Sequence, residues 1–145
     1  MPEGFLATAP DGMPVRVLPV GPDTFMGAAV GYLAPGAEYA VHFHYTLEQL
    51  SFVVKGVVRV TMGGETRIVR AGDAVTNPPG VTLSFANVGP EPAEVLFVCA
   101  PPYPADDSDT QLVDAHRALT EAETAHRRQR VGWALDHFRR VSQAP

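Results

Sequence analysis

Cysteine is all but absent from this chain: Cys99 stands alone among 145 residues. No internal disulfide framework can form, and a reducing, cytoplasmic setting is expected. Lysine is as scarce, with Lys55 set beside ten arginines, and sixteen acidic residues bring the net charge to −5. No stretch is strongly basic, which excludes a surface that tracks nucleic-acid phosphates. Long apolar runs are missing too. Nothing approaches the ~18–20 residues of a membrane span, and the stretch from Met1 to Pro10 has neither the basic nor the apolar region of an export signal. The last absence is local: of 13 glycines and 14 prolines, only Gly132 and Pro145 lie beyond residue 104. A tail without breakers can be helical, whereas a body broken every few residues cannot hold long helices.

What is present suits one globular domain. Hydrophobic residues make up 46% and charged residues 19%, a balance that excludes a disordered chain. Short β-like runs follow one another at Pro14–Val20, Phe25–Leu33, Glu38–His44, Gln49–Val54, Val57–Met62, Thr66–Arg70, Ala74–Asn77, Thr82–Val88 and Glu94–Ala100. Gly63-Gly64 between two of them is a hairpin signal. An all-β sandwich or barrel is therefore expected over residues 1–104. Pro101-Pro102-Tyr103-Pro104 ends it, because proline cannot continue a ladder.

Residues 105–145 are expected to form a helical extension. Capping-box patterns at Ser108-Asp109-Thr110-Gln111 and Thr120-Glu121-Ala122-Glu123 predict a short helix to about Ala118 and a longer one to about Val141. In the second, Val131, Ala134, Leu135, Phe138 and Val141 share one face, which must pack on the barrel or on a partner subunit. His126, Arg130, Trp133 and His137 share the adjacent face, read as solvated or interfacial.

Histidine placement carries the chemical signal. His116, His126 and His137 lie in the tail, and the other two form His42-Phe43-His44. On a strand, positions two apart point to one face, so both imidazoles converge and make a natural half of a metal site. Tyr32, Tyr39 and Tyr45 flank them and could donate to a substrate oxygen, while Phe52, Phe85 and Phe97 suit an apolar cavity or its backing. Cys99 reads as a buried, inert thiol.

The stretch from Gly36 through His42, His44, Glu48 and Gln49 to Gly56 closely resembles the first motif of the cupin family. Gly72, Pro78, Gly80 and Asn87 resemble the second, with Leu83 where that motif has histidine. The resemblance spans roughly Val30 to Pro102 and implies a jelly-roll β-barrel of two antiparallel sheets, here with a C-terminal helical extension. In metal-binding cupins the ligands are the paired histidines, the first-motif Glu and the second-motif His. Carried over, the resemblance implies His42, His44 and either Gln49 or Glu48 as ligands to a divalent metal (Zn, Fe, Mn or Ni). Strand alternation lets only one of Gln49 and Glu48 face inward, and Leu83 cannot ligate.

Three states follow: a weak metal site completed by substrate, a metal-free site using His42 and His44 as base and acid, or a binding module without chemistry. Similar small bacterial cupins include polyketide cyclases and aromatic-compound dioxygenases. The resemblance therefore implies an apolar, aromatic or polyketide-like substrate and cyclase, lyase or isomerase chemistry. It places His42, His44 and Tyr45 as catalytic, and Tyr32, Phe52, Leu83, Phe85 and Phe97 around the substrate. A homodimer is expected, since cupins commonly pair through their sheets.

Overall fold

The computed structural model describes residues 4–20, 23–116 and 128–141. In chain order the described strands are β1 (Phe5–Thr8), β2 (Pro14–Val17), β3 (Gly27–Leu33), β4 (His42–His44), β5 (Glu48–Lys55), β6 (Val57–Met62), β7 (Glu65–Arg70), β8 (Ala74–Asn77), β9 (Leu83–Asn87), β10 (Ala93–Ala100) and β11 (Thr110–Leu112), followed by helix α1 (Arg128–Val141). A six-stranded sheet runs β1-β2-β3-β10-β5-β8 and a five-stranded sheet runs β11-β4-β9-β6-β7, with every described pair antiparallel. The result is an all-β jelly roll with a C-terminal helix.

Period-two alternation builds the layers. Val58, Val60 and Met62 of β6 face Val95 and Phe97 of β10, Leu33 of β3 and Val75 of β8 within one buried cluster. Each such side chain contributes roughly 1.5–3 kcal/mol by leaving water. The β6–β7 hairpin closes through Gly63 and Gly64 at φ of 59° and 84°, with Met62 opposite Glu65. Two successive positive-φ residues give the turn whose twist matches the strands. Asn87 ends β9 by donating to the carbonyls of Leu33 and Glu91 at 2.8 Å and accepting from the Gly89 amide at 2.9 Å.

Helix α1 lies against β8 and β7. Its Ala134 and Phe138 are buried, and Phe138 joins the barrel core. The His137 Nε2 donates to the Ala74 carbonyl at 2.9 Å, and the Arg139 guanidinium forks onto the Glu65 carboxylate. The apolar stripe thus meets the barrel of its own chain. The capping pattern at Thr120, His126 and the side chains of Arg130, Val131 and Trp133 lie outside the described residues. No described helix is long and apolar enough to cross a membrane.

Three segments differ from the expectation. The run Glu38–His44 is a strand only at His42–His44, preceded by an isolated bridge from Glu38 to Ala86, because the Ala40 amide bonds instead to the Asp11 carbonyl. Strand β1 was not anticipated. Where a short helix is expected from Ser108 to about Ala118, Thr110–Leu112 form β11, paired with β4, and residues 117 and 118 lie outside the described residues. There the Asp109 carboxylate accepts from the amides of Thr46 and Leu47, at 2.9 and 3.0 Å, and from the Thr46 hydroxyl. Those bonds and the pairing with His42–His44 hold the segment extended against β4.

Candidate active site

Strand β4 is only three residues long, yet its buried–intermediate–buried pattern turns both His42 and His44 inward. Their rings stand edge to face, with centroids 5.1 Å apart. A cavity of about 420 Å³ lies against them. Its apolar wall includes Met13, Val15, Ala29, Phe85 and Phe97, and its polar residues include Asp11, Gln49, Tyr103 and Thr110. Phe85 and Phe97 meet edge to face at 5.4 Å.

His42 is oriented by two groups. Its Nδ1 lies 3.2 Å from the Ala40 carbonyl oxygen and 3.8 Å from Asp11 Oδ2. A carbonyl can only accept, so Nδ1 carries a proton, and in the neutral tautomer this leaves the lone pair on Nε2. Asp11 reaches this position because the β1–β2 connection is a tight turn, closed by Gly12 N–H donating to the Ala9 carbonyl at 2.9 Å with Gly12 at φ +95°. The carboxylate also accepts from the Met13 amide at 3.1 Å. Burial raises the Asp11 carboxyl above its ordinary range, and the neighbouring His42 opposes that rise.

His44 is held differently. Its Nδ1 shares a hydrogen bond with the Thr110 hydroxyl of β11 at 3.2 Å, while its Nε2 is buried without a hydrogen-bond partner. Burial first, and the adjacent His42 second, lower its pKa to about 4, so the ring is neutral near pH 7. Gln49 is buried on the inner face of β5, and its Oε1 accepts from the Tyr103 hydroxyl at 2.7 Å. Its Nε2 donates to Ser51 Oγ at 3.3 Å. Burial pushes the Tyr103 hydroxyl well above the usual tyrosine range.

The structure therefore gathers His42, His44, Gln49, Phe85 and Phe97 around the cavity. The other expected positions lie elsewhere. Glu48 is one residue from Gln49 on β5, so alternation turns it to the opposite face. Tyr45 is exposed and donates to Gln111 Oε1 at 3.1 Å. Tyr32 and Phe52 lie on the outer face of the six-stranded sheet, where the Tyr32 hydroxyl accepts from Arg16 Nε at 3.3 Å and Phe52 is solvent-exposed. Leu83 pairs in register with His42 but is sealed in the core, away from the cavity lining. Cys99 is buried.

Asp11, Met13, Tyr103 and Thr110 also line the cavity, though no sequence motif marks them. Asp11 sits in the turn signal Pro10-Asp11-Gly12 and Tyr103 in the Pro-Pro-Tyr-Pro boundary, but no local pattern links either to His42.

As a metal site the donor set is deficient. No group of three or more His, Cys, Asp or Glu among the described residues could hold an ion. The strongest donors are two imidazole nitrogens, and the amide oxygen of Gln49, a weak neutral ligand, also accepts from Tyr103. Two imidazoles and an amide do not fit a resident catalytic zinc, which takes three strong protein ligands.

Residues 29–99 match the family model described as Cupin domain. An uncharacterized protein of Methanocaldococcus jannaschii, MJ1618, is 28% identical over 103 residues, covering 68% of this chain and 82% of that one. Polyketide synthase CurC of Streptomyces cyaneus is 35% identical over 77 residues, 53% of this chain; the chain spans about half of that relative's length, 49%. Among solved structures, Pac13, described as a nucleoside dehydratase, superposes with a TM-score of 0.63 at 19% identity, covering 83% of this chain and 91% of that one.

Proposed function

Starting from a chain that belongs to the cupin family, a fold that fixes a barrel and leaves chemistry to its lining, we propose a small-molecule enzyme that moves protons on an apolar, aromatic or polyketide-like substrate. The observation that carries this reading is His42, its Nδ1–H held by the Ala40 carbonyl beside Asp11 while the ring borders a largely apolar cavity. The lone pair on Nε2 takes a proton from carbon next to a substrate carbonyl. The C–H electron pair becomes an enolate, and the Asp11 carboxylate stabilises the imidazolium that forms. Neutral His44, its Nε2 unpartnered, donates to the enolate oxygen when Thr110 donates to its Nδ1. Return of the proton elsewhere gives isomerisation; loss of a β-hydroxyl as water gives a lyase; attack on a second carbonyl closes a ring. The polyketide-synthase name of one relative and the dehydratase description of a structural neighbour fit this enolate chemistry.

The test is deuterium exchange at the α-carbon of 2-tetralone in D2O, followed by proton NMR with and without a chelator. Wild-type protein is expected to accelerate exchange in both, and His42→Gln to lose at least ~100-fold of that acceleration. Equal rates for wild type and His42→Gln leave a binding module. Acceleration abolished by the chelator restores a metal role for His42 and His44.

A second copy is the proposed partner. Leu50, Phe52 and Val54 project outward from β5 and are exposed, and Phe52 and Leu50 lie opposite Leu96 and Val98 of β10. Such a contiguous apolar patch suits a self-complementary interface. Sedimentation is expected to give a dimer for wild type and a monomer for Phe52→Glu.

A further inference from the structure

We infer that the cavity selects uncharged ligands and rejects anions of the same shape. The inference deepens the proposed function and rests on it only for the ligand's location.

The charged side chains that line the cavity are Asp11 and Asp107, both acidic, and no arginine or lysine among the described residues joins them. The cations are used elsewhere. Arg59 pairs with Glu38 at 2.6 Å, Lys55 with Glu94 at 3.9 Å, and Arg67 and Arg139 converge on Glu65. Arg16 donates to the Tyr32 hydroxyl on the outside of the sheet. A carboxylate or phosphate entering the cavity would lose its water without gaining a cation, and Asp11 would repel it.

Nor can the polar groups readily supply the missing charge. The Tyr103 hydroxyl is committed to Gln49. What remains is hydrogen bonding: the His42 Nε2 lone pair and the unpartnered His44 Nε2. A ring ketone, phenol or amide satisfies these groups without bringing in a charge.

A matched pair of probes isolates the effect: 2-naphthamide and 2-naphthoate, one shape with and without charge. Equilibrium dialysis of the full chain near pH 8, where a carboxylate is fully ionised, is expected to show the amide binding at least about ten-fold more tightly. Asp11→Asn, its fold checked by circular dichroism, is expected to narrow the gap by tightening naphthoate several-fold relative to naphthamide. Equal affinities, or tighter naphthoate, overturn the charge selection and leave the ligand site standing. Failure of both probes to bind overturns the selection together with the ligand-site reading beneath it.

Discussion

In the apolar core, Val58, Val60 and Met62, two residues apart on β6, meet Val95 and Phe97, two apart on β10, and Leu33 of β3 across two sheets. The polar wall of the cavity is assembled otherwise. Asp11 comes from a turn, His42 and His44 from β4, Gln49 from β5, Tyr103 from the segment after β10 and Thr110 from β11. The core repeats one rule along every strand and tolerates volume-conserving change. The polar wall depends on individual side chains, each held by only one or two polar contacts.

The largest expected effect tests whether α1 belongs to the core. Phe138→Ala should cost roughly 3–5 kcal/mol in chemical denaturation, because the ring is fully buried among barrel residues. A loss under about 1 kcal/mol would detach the helix from the core.

The next concerns the polar wall and pH. His44 has its folded pKa lowered from 6.5 to about 4. Above the unfolded value both states are neutral and it contributes nothing to pH dependence. As pH falls from 6.5 towards 4 the unfolded chain takes the proton first, so stability declines across that window by up to about 3 kcal/mol. His44→Gln should show a shallower decline, and unchanged slopes would mean the imidazole is not buried in solution.

Smaller again, Asp109→Ala should cost about 1–3 kcal/mol by stripping the Thr46 and Leu47 amides of their acceptor. It should also weaken naphthamide binding, because β11 carries Thr110 to His44. Destabilisation without a binding change would separate the strap from the site. The smallest effect belongs to the surface. Arg139→Ala should cost under about 1 kcal/mol and lose that cost in high salt, since its pair with Glu65 is partly exposed.

The sequence made the core legible because alternation is local. The β6–β7 hairpin follows from Val57 to Arg70 alone, and the inward pair His42 and His44 from their spacing. Gln49 rather than Glu48 at the cavity is decided by strand register, which spacing narrowed to two residues. Tyr32 and Phe52 were expected at the substrate because aromatic residues suit both faces of a sheet; their register turns them outward. Asp11, Tyr103 and Thr110 could not be placed because each meets a residue far along the chain. The Ser108–Gln111 pattern misled for the same reason: Asp109 within it bonds to Thr46 and Leu47, far along the chain.

The central claim is that His42 presents an Nε2 lone pair to the cavity. Long-range proton–nitrogen NMR spectra of histidine-labelled protein at about pH 8, where a histidine with the usual pKa is neutral, read it directly. The expected result is a His42 ring protonated at Nδ1, with its Nε2 resonance moving when 2-naphthamide is added. A His42 protonated at Nε2, with a resonance indifferent to the ligand, would contradict the account.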